Sequence, residues 1–411
     1  MIEVGEAVDR ILAQIRSLPE EIVATAAAMN RVVSQEVVAG LTSPPWRNAS
    51  MDGYAVRSAD IAPGVQLKVI ESVAAGSFPS SPIAVGEAAR VMTGAPVPEG
   101  ADTVVRHEDT DNGREIVTIA NTRDARRNIR QAGEDYRAGD VLVSPGTLLA
   151  VAHLALLASA GVKQVAVHKR PRVAVLSSGD ELVALEDSTV ELRETKIVSS
   201  NSVSLGAAIR EAGGDPVDLG ISGDDRASLR EKLELARDAD LIVSSAGISV
   251  GDHDHIREVF SELGGRIDFW KVRMRPGAPL AFGTLGKTPW IGLSGNPVSA
   301  IVTFELFVRP AIRRLLGASD LFRATIPVTL GEGITLAAPL MHFLRAVITT
   351  ENGTHVARLS GSQSSAVLTA LAKADALLIL PGDNLEVRAG EKHHALPLRH
   401  AFLSSDRLQL T

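Results

Sequence analysis

The chain has 411 residues, of which 45% are apolar and 22% charged, enough for two or three domains with their own cores. It contains no cysteine, so disulfides, thiolate nucleophiles and cysteine-ligated metals are excluded. A formal net charge of -7 and an aromatic content of 3% argue against a nucleic-acid partner. Any bound anion must therefore meet a local cluster of cations or backbone amides.

The amino terminus has neither the basic nor the apolar segment of a secretory signal peptide. The longest apolar stretch, residues 147–162, is short for a bilayer and contains His153 and Ser159. This stretch predicts a packed core helix rather than a membrane span. We therefore expect a cytoplasmic protein that has no membrane partner.

Hydrophobic periodicity divides the chain into three predicted domains. Residues 1–168 begin with a helical stripe over 5–17, and short alternating segments from about 31 to 145 predict antiparallel β structure. Residues 169–318 alternate between strand and helix patterns, which predicts a three-layer βα domain with a mostly parallel sheet. Within it, one helix should end at Gly213 and a long helix should begin at Pro297. Residues 319–411 return to short strands and predict a small all-β module.

The strands of the predicted βα domain end in loops of small residues, where open α/β sheets bind ligands. These loops span 177–181, 244–254 and 294–299. Small residues before a helix let a phosphate approach backbone N–H groups, although ordinary turn chemistry explains any single loop equally well. A nicotinamide site is disfavoured, because the first strand is followed by Ser-Ser-Gly-Asp-Glu-Leu and not by G-x-G-x-x-G.

Four carboxylates fall at the predicted strand-to-helix junctions: Glu181, Asp224, Asp252 and Asp254. Carboxylates that converge on one cleft suit Mg²⁺, which keeps waters and bridges phosphate oxygens. The alternative is structural, with Asp224 or Asp225 as a helix N-cap and Asp254 as a first-turn acid. Zinc is disfavoured, because His253 and His255 do not share a helical face.

Three cations alternate with apolar residues over positions 270–275: Lys271, Arg273 and Arg275. A strand over this segment would place them on one face, opposite Trp270, Val272 and Met274. Such a face can hold a phosphate or a tetrahedral oxyanion. The alternative is a solvated edge strand that charge protects from pairing.

Several segments resemble, in order, the motifs of one family. They are NASMDGYA (48–55), MTGAPVP (92–98), NIRQAGED (128–135), SSGDEL (177–182), SAGISVGDHD (245–254), KVRMRPGAPLAFG (271–283) and LSGNPVSA (293–300). The family is that of the molybdopterin molybdenumtransferases, which includes the MoeA-type enzymes and the gephyrin E domain. The resemblance extends over nearly the whole chain.

The resemblance implies a transferase in the last step of molybdenum cofactor biosynthesis. Such an enzyme binds adenylylated molybdopterin, inserts molybdate at its dithiolene and releases AMP with the help of Mg²⁺. The resemblance also implies a homodimer whose active sites are shared between chains, with molybdopterin adenylyltransferase and cofactor-accepting enzymes as candidate partners. Two other functions are weighed against insertion: adenylyl transfer to molybdopterin, which the βα domain alone typically performs, and scaffolding, which relies on a long linker.

By motif position, the resemblance implies catalytic roles for Asp52, Asp135, Glu181, Asp224, Asp254, Lys271 and Arg275. Of these, Glu181, Asp224 and Asp254 would hold Mg²⁺. Binding of the pterin, its phosphate and molybdate would involve Thr93, Ser178, Gly179, Gly247, Ser249, Gly251, Pro276, Gly277, Gly295, Asn296, Pro297, Ser299 and Arg345. The Ser362–Ser365 segment is a weaker match beside Arg345.

The chain departs from the family pattern at Ala246, Ser294 and Arg275, where the family usually has Gly, Pro and often Lys. Ala246 matters if that backbone needs a positive φ, which Ala disfavours. Arg275 keeps the charge of Lys and adds a planar fork of donors. The preference between molybdate and tungstate therefore stays open at this stage.

Overall fold

A computed structural model describes residues 1–189, 195–245 and 255–398 of the chain. Its N-terminal region combines helices with short strands. In chain order these are helix α1 (Val4–Ala13), strands β1 (Glu20–Ala24), β2 (Val37–Val38), β3 (Asn48–Ala49), β4 (Gly53–Val56), β5 (Gln66–Val73), β6 (Glu87–Val91), β7 (Thr103–Arg106), β8 (Ile116–Thr118), β9 (Ile129–Arg130) and β10 (Val141–Val143), helix α2 (Val151–Ser159) and strand β11 (Gln164–His168). Single 3₁₀ turns lie at Thr25–Ala27, Ser58–Asp60 and His107–Asp109.

Small sheets organise this region. Strand β1 pairs antiparallel with β11, which ties the beginning of the region to its end. The largest sheet has the strand order β7-β4-β6-β5-β8, and its pairs are antiparallel except for β5 with β6. The pairs β2–β10 and β3–β9 complete the region. The predicted antiparallel β structure is confirmed, with one parallel pair added.

Strand β4 passes β7 at a point where only glycine fits. A Cβ atom on Gly53 would lie 2.0 Å from the backbone oxygen of Val105. The next residue, Tyr54, is fully buried, and its hydroxyl donates to the carbonyl of Gly113 at 2.9 Å. Gly53 and Tyr54 therefore fix the start of β4, directly after Asp52.

Helix α2 is not the packed core helix predicted for residues 147–162. Leu157 is the buried side chain of this helix, whereas Val151 at its start is 71% exposed. The apolar residues are spread around the helix instead of forming one stripe, so burial of one face leaves others at the surface. An apolar surface thus remains on this side of the region.

The central region alternates strands and helices. In chain order these are strands β12 (Arg172–Ser178), β13 (Leu182–Val183) and β14 (Ile197–Val198), helix α3 (Ser200–Ala212), strand β15 (Asp215–Ser222), helix α4 (Arg226–Leu235), strand β16 (Leu241–Ser245), helix α5 (Ile256–Glu262), strands β17 (Gly265–Trp270), β18 (Met274–Arg275), β19 (Leu280–Leu285) and β20 (Thr288–Leu293), and helices α6 (Pro297–Thr303) and α7 (Arg309–Leu315). A 3₁₀ turn at Ala236–Asp238 follows α4.

The central sheet has the strand order β15-β12-β16-β20-β19-β17. Its first four strands are parallel, and β19 is antiparallel to both of its neighbours. Apolar clusters cover both faces, with Val173 and Val175 in one cluster and Ala174 and Leu176 in the other. A strand buried on both faces carries a continuous apolar run, as β12 does over residues 173–176. The three-layer βα domain is confirmed.

The helices of this region follow the predicted pattern with one interruption. Helix α3 ends where Gly213 adopts a left-handed backbone with φ of 102°. The long helix predicted from Pro297 is divided into α6 and α7 by a π-helical turn, Phe304–Val308. Pro310 has no N–H to donate to the preceding turn, which explains the break in regular α-helix there.

The C-terminal region forms a second six-stranded sheet. Its elements are strands β21 (Ile326–Leu330), β22 (Ile334–Thr335), β23 (Met341–Glu351) and β24 (Thr354–Leu359), helix α8 (Leu368–Lys373), and strands β25 (Ala376–Leu380), β26 (Glu386–Val387) and β27 (Lys392–Pro397). The strand order is β18-β23-β24-β21-β27-β25, and β25 also pairs with β23. The extra pairing curls the sheet around its own apolar cluster. The predicted β module is confirmed, with the short helix α8 added.

The cationic segment 271–275 is not one continuous strand. Strand β17 ends at Trp270, and β18 starts only at Met274. Strand β18 pairs in parallel with β23, which places Arg275 beside His342. The prediction of a single strand is wrong, because pairing with a distant part of the chain decides where the extended backbone becomes part of a sheet.

Exposure nevertheless alternates along this segment, as two-residue spacing predicts. The exposed residues are Lys271, Arg273 and Arg275, and the buried ones are Val272 and Met274. The three cations therefore share an outward side while the apolar residues enter the core.

We expect Gly53→Ala to lower the free energy of unfolding by about 1–3 kcal/mol, because the added methyl overlaps the Val105 carbonyl. Urea denaturation measures this change. Gly40→Ala is the matched control, since a Cβ at Gly40 meets no atom within 4 Å. Equal stability of the two variants would contradict the close approach of β4 and β7.

Candidate functional site

A cavity of about 590 Å³ opens at the carboxyl ends of the parallel strands. Five of the residues predicted from the sequence line it: Ser178, Glu181, Gly295, Asn296 and Pro297. They come from the loop after β12 and from the loop between β20 and α6. Parallel pairing brings these loops to one edge of the sheet, although they are more than a hundred residues apart in the chain.

The loop after β12 turns sharply so that Glu181 can fold back. Gly179 has φ of 145°, and a Cβ there would lie 2.6 Å from Glu181 Oε2. The positive φ disfavours a larger residue at Gly179, and any larger residue would also displace the Glu181 carboxylate. The glycine of the Ser-Ser-Gly-Asp-Glu segment thus shapes the rim of the cavity through its backbone.

Reciprocal hydrogen bonds join this loop to the end of β15. The N–H of Asp224 donates to Asp180 Oδ1 at 3.1 Å, and the N–H of Asp180 donates to Asp224 Oδ2 at 3.3 Å. The side chain of Lys196 donates to the carbonyl of Asp180. Sequence reasoning missed Asp180 as a positioning residue, because a contact between two loops leaves no signal in either one.

The helix-cap interpretation holds for Asp225 and not for Asp224. The Asp225 carboxylate accepts from the N–H groups of Ala227 and Ser228 at 2.9 Å each, which caps α4. Asp224 therefore does not cap a helix, and its carboxylate accepts a hydrogen bond from the loop after β12.

Asn201 is a second residue that sequence reasoning missed. It is 7% exposed, and its Nδ2 donates to Ser245 Oγ at 2.6 Å and to the carbonyl of Gly295 at 2.9 Å. A carbonyl can only accept, so the orientation of the amide group is fixed. Asn201 thus ties the first turn of α3 to the ends of β16 and β20. A polar residue just before a predicted helix was the available signal.

The loop before α6 is closed by its own polar atoms. Ser294 Oγ accepts from the N–H of Asn296 at 3.3 Å, so the serine at this departure from the family pattern supports the turn. Pro297 then occupies the first position of α6. Ser299, predicted to bind ligand, is 2% exposed, and its carbonyl accepts from Thr303 Oγ1 at 2.7 Å inside the helix.

Pro276 and Gly277 bring the cationic segment against α6. Gly277 has φ of 95°, and a Cβ there would lie 2.4 Å from Thr303 Cγ2. This contact brings the cationic segment close to the helix that borders the cavity. Lys271 and Arg275 remain exposed on the outer side.

Arg273 is already paired. Its Nε lies 2.8 Å from Glu3 Oε1, and its Nη2 donates to the carbonyl of Pro339 at 3.3 Å. Arg273 therefore joins the N-terminal segment to the C-terminal module.

Arg345 on β23 is fully buried, and no ion pair joins it to a carboxylate of the described residues. Its Nη2 donates to the carbonyls of Ser362 and Ser364, each at 3.2 Å. Within the described residues, Nε and Nη1 of Arg345 have no hydrogen-bond partner. Burial lowers the pKa of Arg345 to about 10, because desolvation disfavours the charged form.

The Ser362–Ser365 segment connects Arg345 to the cavity. The carbonyl of Ser365 accepts from the N–H of Val298 in the first turn of α6 at 3.1 Å. The next residue, Ala366, lines the cavity itself. A buried guanidinium with open donors thus lies directly behind the cavity rim.

His342 lies on β23, opposite Arg275 and three residues before Arg345. Its ring is 2% exposed, with Nδ1 2.7 Å from the carbonyl of Leu340. Burial lowers the pKa of His342, and the nearby charge of Arg275 lowers it further. The neutral ring adds no charge beside Arg275.

A second cluster of predicted residues lies in the N-terminal region, apart from the cavity lining. The N–H and Oγ1 of Thr93 donate to Asp52 Oδ1 at 2.6 and 2.8 Å. These hydrogen bonds lower the pKa of Asp52, because they favour its charged form. Asp135 is anchored through its backbone N–H, which donates to the carbonyl of Ser43 at 3.0 Å.

Six residues singled out from the sequence, and one departure from the family pattern, lie outside the described residues: Gly247, Ser249, Gly251, Asp252, His253, Asp254 and Ala246. In the described part of the chain, no group of three or more His, Asp or Glu side chains is placed to hold a metal ion. No helix in the described ranges combines the length and apolar character that crossing a bilayer requires.

Comparison with known proteins identifies the class. Residues 2–161 match the "MoeA N-terminal region (domain I and II)", residues 174–314 the "Probable molybdopterin binding domain" and residues 327–398 the "MoeA C-terminal region (domain IV)". The crystal structure of a molybdopterin biosynthesis MoeA protein from Pyrococcus horikoshii OT3 is similar, with a TM-score of 0.82, 27% identity and coverage of 97% of this chain and 100% of that one.

Curated relatives are similar along almost their whole length. The molybdopterin molybdenumtransferase of Staphylococcus aureus (strain COL) is 33% identical over 95% of this chain and 94% of its own. Molybdopterin molybdenumtransferase 2 of Mycobacterium tuberculosis (strain H37Rv) is 37% identical over 88% of this chain and 91% of its own. This chain belongs to the molybdopterin molybdenumtransferase family.

We expect Thr93→Val to raise the pKa of Asp52 toward its ordinary value, because the substitution removes the hydroxyl donor that favours the carboxylate. An NMR titration of the aspartate side-chain carbons measures the shift. Thr118→Val is the control, since Thr118 lowers the pKa of Asp111 instead. An unchanged Asp52 titration in Thr93→Val would contradict this hydrogen bond.

Proposed function

We propose that this protein inserts molybdate into adenylylated molybdopterin and releases AMP, the last step of molybdenum cofactor biosynthesis. The observation that carries the proposal is Arg345, a buried guanidinium whose Nε and Nη1 have no partner among the described residues. Buried donors without acceptors are costly, so a site that retains them favours an anionic ligand. A tetrahedral oxyanion offers the acceptors that Arg345 lacks.

The cavity suits the organic substrate. The loop of Gly295, Asn296 and Pro297 lines the cavity at the first turn of α6, where the helix dipole favours a phosphate. Ser178 and Ser245 also line the cavity and supply hydroxyl groups. The chain has no thiol of its own, so the sulfur that binds molybdenum must arrive on the substrate.

The cations behind and beside this cavity suit molybdate. Arg345 offers two open donors from the C-terminal module, and Arg275 pairs with the same strand three residues away. Positions 342 and 345 are three residues apart and therefore on opposite faces of β23, so Arg275 and Arg345 would hold different groups, such as an oxyanion and a phosphate. Lys271 adds an exposed charge on the same outward side as Arg275.

Mg²⁺ is part of this proposal. Glu181 lines the cavity, and the Asp224 carboxylate accepts from the N–H of Asp180 in the same loop, so these two carboxylates are the candidate ligands. Two carboxylates plus water match the oxygen ligands that Mg²⁺ prefers. When bound there, Mg²⁺ would neutralise phosphate charge as AMP leaves. The third predicted ligand, Asp254, lies outside the described residues.

A homodimer with shared active sites is the proposed assembly. Exposed apolar side chains cluster on β1, β2, β10, α2 and the adjoining loops: Ile22, Val38, Leu41, Val141, Leu148 and Val151. A second copy would cover them, which also accounts for the incomplete burial of α2. Asp52, Thr93 and Asp135 are absent from the described cavity lining, so a partner's cavity is their proposed place of action.

Adenylyl transfer and scaffolding are less well supported. The N-terminal and C-terminal regions match relatives named for molybdenum transfer along almost their whole length. Arg345, in the C-terminal module, has open donors that adenylyl transfer by a βα domain would not use. Cytoplasmic location and the protein partners, molybdopterin adenylyltransferase and cofactor-accepting enzymes, stay predictions.

We expect Arg345→Met to abolish saturation by molybdate while leaving the fold as stable as before or more stable. Methionine fills similar space and removes the desolvation cost of a buried, incompletely paired charge. AMP release as a function of molybdate concentration and the thermal midpoint are the two measurements. Arg358→Met is the control, because Arg358 is an exposed ion-pair partner of Glu351. A normal molybdate curve for Arg345→Met would contradict the proposed role.

We expect activity to return when inactive Asp135→Ala and Asp224→Ala chains are mixed and re-annealed. If sites are shared, each mixed dimer has one site with both lesions and one site with none. Half of the dimers are mixed under random pairing, so roughly a quarter of wild-type AMP release should return. Tagged chains verify subunit exchange, and exchange without recovered activity would rule out shared sites.

A further inference from the structure

Two exposed aromatic side chains of the N-terminal region contact one another. The rings of Trp46 and Phe78 have centroids 4.7 Å apart and meet edge to face at 66°. Phe78 is 64% exposed and Trp46 is 37% exposed. The other aromatic rings in the described part of the chain are buried or half-buried, with Phe322 as the exception. An edge-to-face pair covers at most one ring face, so open π surface remains.

The segment that carries Trp46 runs between the predicted catalytic residues of this region. At its beginning, the carbonyl of Ser43 accepts from the N–H of Asp135 at 3.0 Å. At its end, the carbonyl of Ala49 accepts from the N–H of Gly94, next to Thr93, at 2.8 Å. Trp46 lies three residues from each contact, which is about 10 Å of extended chain. The aromatic pair is therefore part of the same surface as Asp135 and the Thr93–Asp52 pair.

Both aromatic residues are held in place without a ligand. Arg47, next to Trp46, donates from Nη2 to the carbonyl of Ala101 at 2.8 Å. The loop of Phe78 is anchored by Ser80, whose N–H and Oγ donate to Glu71 Oε2 at 2.9 and 2.7 Å. An apolar ring fixed in an exposed position loses little freedom when a flat ligand stacks on it. Water is a poor partner for such a surface.

We propose that Trp46 and Phe78 form a stacking platform for a planar nitrogen heterocycle of the substrate, either the adenine of its adenylyl group or its pterin. The inference rests on the proposed function, because that substrate carries both rings, and adds a subsite to it. Stacking suits either ring, since each has a π face that can lie on an aromatic side chain. The platform would orient the substrate beside Asp52, Thr93 and Asp135.

The test measures binding of AMP and of free pterin to the full chain by calorimetry. Wild type is compared with Trp46→Leu, Phe78→Leu and the conservative Trp46→Phe. We expect the leucine variants to bind one probe roughly 5- to 100-fold more weakly, and Trp46→Phe to keep most of the affinity. Phe322→Leu is the matched control, because Phe322 is 52% exposed and is not part of the pair. Circular dichroism and the thermal midpoint verify that each variant folds.

The two probes distinguish the two rings. Weaker AMP binding in the leucine variants supports an adenine platform, and weaker pterin binding supports a pterin platform. The inference is overturned if Trp46→Leu binds both probes as Phe322→Leu does, or if wild type binds neither. AMP release with molybdate is measured separately: normal release with unchanged probe affinities removes the platform alone, whereas Trp46-dependent probe binding without any AMP release removes the proposed function alone.

Discussion

Parallel pairing of four central strands is the constraint on which the rest of the site depends. Strand β12 pairs with β15 and β16, and β16 pairs with β20, so their carboxyl ends meet at one edge. Parallel strands need long crossovers, which is why the residues at this edge are far apart in the chain. Local hydrogen bonds then refine the edge, as Asn201 does by joining Ser245 to Gly295.

The proposed anion site depends on local cations and not on the net charge of the protein. The chain carries a formal charge of -7, yet the described site has a fully buried arginine beside the cavity rim. Such a charge is retained at a cost to stability, which the lowered pKa of Arg345 reflects. This cost falls beside the Ser362–Ser365 segment, which accepts hydrogen bonds from Arg345 and from Val298 of α6, and the proposed site therefore includes the C-terminal module.

The N-terminal region carries further candidate functional groups, outside the described cavity lining. A carboxylate, a hydroxyl and an aromatic pair are held by turns whose backbone bonds connect residues 43–49 to the 92–95 turn and the 133–136 loop. The same region exposes apolar side chains on α2 and the strands around it. The exposed apolar surface and the candidate groups outside the described cavity lining are the two observations behind the proposed homodimer.

The sequence by itself determined the three regions, the order of the strands and helices in the βα domain, and most of the loops that form the cavity. These follow from local periodicity and from small or glycine residues at strand and helix ends, such as Gly179 and Gly213, whose backbone geometry is a local property. Tertiary structure alone decided what depends on distant neighbours. Strand β18 exists because β23 pairs with it, and Arg273 differs from Arg275 because Glu3 reaches it. Arg345 is buried because the Ser362–Ser365 segment and α6 pack around it, and burial by remote residues leaves no trace in a local pattern.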